Sequence, residues 1–60
     1  MSTPIYRGSI IVGYLYDNAT QIVAKDAKGT TKGWFDKQAN QTRTANGTFF
    51  GNGNQVAALL

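Results

Sequence analysis

The longest apolar stretch of the chain runs from residue 5 to residue 16 and is rich in Ile, Val, Leu and Tyr. β-Branched and aromatic residues suit a pleated, packed strand, and no helical periodicity competes with that interpretation. Large side chains occupy both odd and even positions of the stretch, so both faces of such a strand would be covered. The pattern predicts one long central strand, broken by bulges or sharp bends at Gly8 and Gly13.

Shorter strand-like stretches follow, separated by turn residues. The predicted strands after the first are residues 21–25, 30–35, 42–45 and 48–50. Asp-Ala-Lys-Gly at residues 26–29 has the form of a type I turn closed by glycine. The Asn46-Gly47 dipeptide predicts a hairpin with a type I′ turn. Residues 36–42 are the least apolar stretch and are predicted to form a loop.

The two ends of the chain are predicted to differ. Residues 1–4 are expected to form a flexible arm, because Pro4 has no N–H to donate to a strand ladder. Residues 51–60 begin with a Gly/Asn turn and end in an apolar run, for which we predict a short strand. A single helical turn capped by Asn54 is the alternative for residues 55–60.

A weak internal echo recurs along the chain. Three segments open with Gly followed by Ser or Thr and reach a second Gly four or five places later. Their glycine pairs are Gly8 and Gly13, Gly29 and Gly33, and Gly47 and Gly51. Spacing of this kind is found in repeat proteins, but turn glycines in successive hairpins would produce it as well.

Sixty residues make a single domain, residues 1–60, near the lower size limit for a chain that folds alone. A domain of this size buries about 60% of the surface that its unfolded chain exposes. With no Cys and no His, disulfides and the usual zinc or haem ligands are excluded. We therefore expect an all-β domain, a small antiparallel meander of four to five short strands. It would form a barrel or sandwich completed by self-association into a homo-oligomer.

Charge and hydropathy limit the environment of the chain. Six Lys and Arg residues against three Asp give a net charge of +3, and the cations form no basic run. This excess fits weak nucleic-acid affinity and ordinary solubility equally well. No stretch approaches the roughly 20 apolar residues of a membrane helix. The first residues lack the basic region of a signal peptide, so we expect a cytoplasmic protein without a membrane partner.

The residues that usually perform catalysis are scarce. Without His and Cys, the Ser-His and Cys-His nucleophile pairs cannot form. Asp17, Asp26 and Asp36 are the carboxylates of the chain, and each lies in a predicted turn, where Asp bonds the local backbone. Their spacing does not match a calcium loop. We expect no catalytic residue, no metal site and no cofactor; an enzyme would need a polar pocket at the symmetry axis of an oligomer.

The seven aromatic residues are better candidates for function. Neighbours in a strand point to opposite faces, so one member each of Trp34-Phe35 and Phe49-Phe50 must leave the main core. The favoured interpretation is that the outward apolar residues cover a subunit interface. The candidate interface residues are Ile10, Val12, Phe49, Phe50, Val56, Leu59 and Leu60.

The alternative is that aromatic side chains form a ligand platform. Aromatic rings stack on sugars, bases and apolar ligands, and small β-barrels that bind single strands combine such rings with basic side chains. Lys25, Lys32 and Arg43 lie on predicted strands that could neighbour Trp34. The candidate ligand-binding residues are Tyr14, Tyr16, Trp34 and Arg43.

The sequence therefore predicts a non-enzymatic, oligomeric binding or assembly module whose first partner is a second copy of itself. The alternative is a small basic β-barrel that binds nucleic acid through aromatic stacking and scattered Lys and Arg. A carbohydrate or another neutral ligand remains a third kind of partner, because Asn and Gln would supply oriented donors and acceptors.

Overall fold

A computed structural model describes residues 2–60, which form one open antiparallel sheet followed by a short helix. Within this range six strands lie side by side in chain order, so the sheet is a simple meander. The strands are β1 (Ser2–Arg7), β2 (Ile10–Asp17), β3 (Gln21–Asp26), β4 (Thr31–Asp36), β5 (Gln41–Thr44) and β6 (Phe49–Asn52). The predicted all-β antiparallel meander is confirmed, with more strands than expected. Strands β1 and β6 are the edges of the sheet.

The long apolar stretch is a hairpin and not one strand. Gly8 adopts φ = 66° in the turn between β1 and β2, so the chain reverses in the middle of the stretch. Ile5 pairs with Gly13 while Tyr6 pairs with Ile11, which leaves Val12 as the extra residue of a β-bulge. The bulge predicted at Gly13 is therefore present, at the preceding residue.

Both ends of the chain differ from their predictions. Ser2, Thr3 and Pro4 pair with residues of β2, so the described part of the predicted arm belongs to an edge strand; Met1 lies outside the described residues. Pro4 is tolerated because an edge strand leaves alternate N–H positions unpaired. The apolar residues near the other end form a 3₁₀ helix, Val56–Leu59, in place of the predicted strand. Among the described residues, no helix has the length and apolarity needed to cross a membrane.

Two of the hairpin turns share one geometry. Gly29 donates its N–H to the Asp26 carbonyl at 2.9 Å and has φ = 90°, as expected for a type I turn closed by glycine. Gly47 donates to the Thr44 carbonyl at 2.9 Å with φ = 89°. Asn46 does not share the positive φ that a type I′ turn requires, so the predicted turn type is wrong although the hairpin is present.

The three hairpins β1–β2, β3–β4 and β5–β6 also share one irregularity. Each has a bulge in its second strand, and the extra residue immediately precedes a strand glycine. The extra residue and its glycine are Val12 and Gly13, Lys32 and Gly33, and Phe50 and Gly51. The glycine echo in the sequence therefore corresponds to a repeated structural unit, in which one glycine forms the turn and the second follows the bulge.

One face of the sheet, here called the covered face, packs against residues 53–60. Two cross-strand pairs lie on this face, Leu15 with Ala24 and Phe35 with Thr42. A Cβ built on Gly13 would lie 2.8 Å from a methyl of Leu60, and one on Gly33 would overlap Leu59 and the Arg43 carbonyl. Gly51 is similarly close to the side chain of Gln55. The strand glycines thus create the space in which the end of the chain packs.

Thr42 anchors this segment from within the core. Its hydroxyl donates to the Gly53 carbonyl at 2.7 Å and accepts the Gln55 N–H at 2.9 Å. Thr42 is fully buried, and Ala24 and Val56 are the buried apolar residues of the described chain. The core is therefore small and lies between the covered face and residues 53–60.

Candidate functional site

The opposite face of the sheet, here called the open face, carries no second layer in the described structure. Side chains alternate along each strand, so Tyr14 and Tyr16 lie on the face opposite to Leu15. Cross-strand pairing places Lys25 beside Tyr14, and Arg43 beside Trp34, on this same face. All four residues predicted to bind a ligand, Tyr14, Tyr16, Trp34 and Arg43, are therefore on one surface.

A continuous row of paired residues crosses the open face. Tyr16 pairs with Val23, Val23 with Trp34, Trp34 with Arg43, and Arg43 with Phe49. We call these five residues the transverse row. Four strand spacings of about 4.8 Å give it a length of about 19 Å. Three aromatic rings and one guanidinium thus follow one line perpendicular to the strands.

Lys25 adds a second cation beside the row. Its Nζ lies 5.3 Å from the centroid of the Tyr16 ring, within the range of a cation–π contact. At a partly exposed position such a contact contributes about 0.5–1 kcal/mol. The ammonium group therefore lies over the aromatic surface and is available to an anion that contacts it.

Arg43 is oriented by its own strand and by the adjacent turn. One terminal nitrogen donates to the Gly47 carbonyl at 2.9 Å, and the other donates to Gln41 Oε1 at 3.2 Å. A guanidinium has five N–H groups, so three of them remain for other acceptors. Because the side chain is already held in place, an anion binding there would lose little of its affinity to side-chain ordering.

Polar residues form a parallel line next to the transverse row. Gln21, Asp36, Gln41 and Asn52 are paired across β3 to β6. The Asp36 carboxylate accepts the backbone N–H groups of Gln38 at 3.0 Å and Ala39 at 3.2 Å, so it is occupied by its own turn. The remaining members are uncharged amides that can both donate and accept hydrogen bonds.

The residues predicted for a subunit interface are divided between several positions. Ile10, Phe49 and Phe50 are 68%, 48% and 42% exposed. Val12 is the half-buried bulge residue of β2. Val56, Leu59 and Leu60 pack on the covered face as part of the chain's own core, where Val56 is fully buried. Leu59 and Leu60 are half-buried and keep part of their surface exposed.

Each of the three Asp carboxylates accepts hydrogen bonds from groups in or beside a turn. Asp26 accepts the N–H groups of Lys28 and Thr30, both at 2.9 Å. The Thr30 N–H, followed by the Lys28 N–H and the nearby Lys32 and Lys28 charges, holds the pKa of Asp26 below its ordinary value of 3.8. Asp17 pairs with Lys37 at 2.6 Å. No group of three metal-binding side chains and no pocket occurs among residues 2–60.

Several residues of the open face were not among the predicted site residues. Lys25 was noted only as a possible neighbour of Trp34, Phe49 was assigned to an interface, and Val23 and Gln41 were not considered. The strand register brings these residues together. It can be worked out from the sequence only when the ends of the strands are known and the strands are paired. Lys32 is the extra residue of the β4 bulge, and its Nζ lies 3.9 Å from Asp26 Oδ2.

Comparison with protein-family models, with curated proteins and with solved structures finds no match to this chain.

Proposed function

We propose that the protein is a non-enzymatic binding module whose open face binds single-stranded nucleic acid. Of the functions predicted from the sequence, this one has the strongest support from the arrangement of side chains. The observation that carries it is the transverse row of Tyr16, Val23, Trp34, Arg43 and Phe49, with Lys25 beside it. We further propose that it acts in the cytoplasm, where single-stranded RNA is available.

The chemistry of the row suits an unpaired strand. Bases stack on aromatic rings at about 1–3 kcal/mol per base, and the stacking tolerates any sequence. Lys25 on β3 and Arg43 on β5 are separated by one strand, β4, so each can contact a different phosphate of a backbone that follows the row. The amide groups of Gln21, Gln41 and Asn52 would meet base edges beside it. A row about 19 Å long suits an extended polymer better than a compact small molecule.

The first experiment measures binding of a fluorescent oligothymidylate and an oligouridylate, each about 15 nucleotides long, within the range of known single-strand sites. Two phosphate contacts predict a log–log salt slope of about −1.4 for single strands. Between 50 and 200 mM salt the affinity should therefore fall about sevenfold. Duplex DNA of the same sequence is the comparison and should bind more weakly, because its bases are already stacked.

Variants then test the row directly. Trp34→Ala should weaken binding about 5- to 150-fold, the effect of losing one stacked base, whereas Trp34→Phe keeps a ring and should retain most of the affinity. Arg43→Ala and Lys25→Ala should each make the salt slope shallower by about 0.7. Lys28→Ala removes the same charge from the exposed β3–β4 turn and serves as the matched control.

Different outcomes contradict the proposal in different ways. An affinity that does not change with salt or in Arg43→Ala, but falls in Trp34→Ala, would indicate a neutral ligand such as a carbohydrate. Binding that depends on total charge, with Lys28→Ala as harmful as Lys25→Ala, would indicate non-specific attraction. A folded protein that binds neither oligonucleotide at low salt would overturn the proposal.

A further inference from the structure

We infer that the two edges of the sheet join head to tail, so that β6 of one copy pairs with β1 of a second copy. This surface is separate from the open face and would extend the hairpin repeat from one molecule to the next. The argument begins from how the hairpins within one chain are joined to each other.

The internal junctions follow one register rule. In the β3–β4 hairpin, Gly33 pairs with Ala24 of β3. At the β2–β3 junction, Gly13 of the preceding hairpin lies opposite Asp26, which is two residues after Ala24. Likewise Thr42 pairs with Gly51, and Gly33 lies opposite Thr44, again two residues further on. The rule therefore holds at both junctions, β2–β3 and β4–β5.

Applying the rule to the free edges defines a third junction. Ile5 pairs with Gly13, so Ile5 is the counterpart of Ala24 and Thr42. Two residues further on is Arg7, so Gly51 of one copy would lie opposite Arg7 of the next, and Asn52 opposite Tyr6. Neighbouring strands are antiparallel throughout and there are six of them, so β1 and β6 run in opposite directions, as this pairing requires.

Exposed apolar side chains lie where this junction would form. Tyr6 is 58% exposed near the end of β1, and Phe50 is 42% exposed near the start of β6. Because the strands are antiparallel, both positions are at the end of the sheet that holds the Gly8 and Gly47 turns. In the proposed register Phe50 of one copy and Tyr6 of the next are diagonal neighbours, within reach of aromatic contact.

Two residues limit the extent of the junction. In this register Asn52, the last residue of β6, lies opposite Tyr6, so backbone pairing is expected to end there, short of Pro4, which has no N–H for a further strand. The Gln55 side chain donates to the Asn52 carbonyl at 2.8 Å, which occupies one acceptor of β6. The paired region is therefore short, and we expect an association that depends on concentration. Since each contact uses two different edges, it is heterologous and leads to a ring or an open chain of copies.

The test is sedimentation velocity of the full chain without nucleic acid, from micromolar to millimolar concentration. The average mass should rise above that of the monomer with concentration. Tyr6→Lys blocks the β1 edge and Phe50→Lys blocks the β6 edge, because a lysine at an edge opposes pairing. Each variant alone should be a monomer, with its dissociation constant raised at least about tenfold. Ala27→Lys adds the same charge in the exposed β3–β4 turn and should associate like the original chain.

Mixing the two edge variants distinguishes head-to-tail contact from a symmetric one. Tyr6→Lys keeps an intact β6 edge and Phe50→Lys keeps an intact β1 edge. An equimolar mixture should therefore form a one-to-one pair and nothing larger. Self-association of either variant alone at the original affinity would point to a symmetric edge contact and overturn the inference, as would a monomer at all concentrations. Failure of nucleic-acid binding would leave this result unaffected, because the readout contains no ligand.

Discussion

At the scale of single residues, the buried hydroxyl of Thr42 is the polar link between the sheet and residues 53–60. It makes one bond as donor and one as acceptor, both with backbone groups of that segment. Val has nearly the same shape as Thr but can make neither bond, so a partly buried carbonyl and a partly buried N–H would lose their partner. Such losses cost about 1–3 kcal/mol.

Thr42→Val should accordingly lower the free energy of unfolding by about 1–3 kcal/mol, measured by urea denaturation. Thr42→Ser loses a methyl group but keeps the hydroxyl, so stability alone does not separate the two variants. Amide hydrogen exchange does: the Gln55 N–H should lose its protection in Thr42→Val and keep it in Thr42→Ser. Equal protection in both variants would show that the hydroxyl does not hold the segment.

Asp26 links the stability of one turn to pH. Its pKa is lowered in the folded protein, chiefly by the N–H of Thr30, so the carboxylate favours the folded state. That contribution is present above the ordinary pKa of 3.8 and is lost as the pH falls through the lower, folded-state value. Asn keeps the acceptor oxygen but does not titrate in this range.

Replacing Asp26 by Asn should therefore remove part of the acid dependence of stability. Urea denaturation of both proteins, from neutral pH to well below the ordinary pKa of Asp, is the measurement. The original chain should be the more stable at neutral pH, and the difference should shrink as the pH falls. A difference that is constant with pH would mean that the charge of Asp26 does not stabilise the turn.

At the scale of elements, close packing of residues 53–60 on the strands requires glycine in those strands. Gly33 has φ = 155° and lies against Leu59 and the Arg43 carbonyl, so a methyl group there would be both strained and overlapping. Gly29 also has a positive φ, 90°, but a Cβ there would meet no atom within 4 Å. A side chain would strain the backbone at either position, but it would overlap neighbouring atoms only at Gly33.

Gly33→Ala should destabilise the fold by about 1–3 kcal/mol more than Gly29→Ala, the usual range for overpacking. Thermal and urea denaturation of both variants measure the difference. Adding Leu59→Ala to Gly33→Ala should recover part of the loss, because the two side chains compete for one space. If the two glycine variants were equally stable, the segment would not be packed against Gly33.

At the scale of the whole molecule, residues 53–60 bear on the expectation, based on chain length, that a second copy completes the domain. The accessible surface is 3855 Å², close to the roughly 3,800 Å² that scaling with mass gives for a folded monomer of this length. The chain covers one apolar face of the sheet with its own last residues, so a second copy is not needed on that face. The proposed self-association belongs to the edges, and the proposed ligand to the open face.

These two proposals concern the same direction of one sheet, across the strands. The transverse row runs from β2 to β6, across the strands, and head-to-tail joining would place a further hairpin beyond β6. A strand of nucleic acid following the row could then pass from one copy to the next. Each proposal is nonetheless measured alone, one by ligand affinity of the monomer and the other by mass without ligand.

Much of the fold was predictable because it depends on local chemistry. The turns at residues 17–20 and 26–29 have the expected side-chain-to-backbone bonds: Asn18 accepts the Thr20 and Gln21 N–H groups, and Asp26 those of Lys28 and Thr30. Strand-forming residues lie between turns, as their propensities predict. The errors occur where a local pattern has two solutions, as at Gly8, which suits a bend in one strand as well as a turn between two.

The residues alone predict an all-β domain without cysteine or histidine chemistry, with more aromatic side chains than one small core can bury. Which of those side chains meet depends on how the strands pair. The bulges before Gly13, Gly33 and Gly51 set the register, and register decides whether Trp34 lies beside Arg43 or on the opposite face. Such pairings join distant residues, and their free energy depends on every neighbouring strand at once.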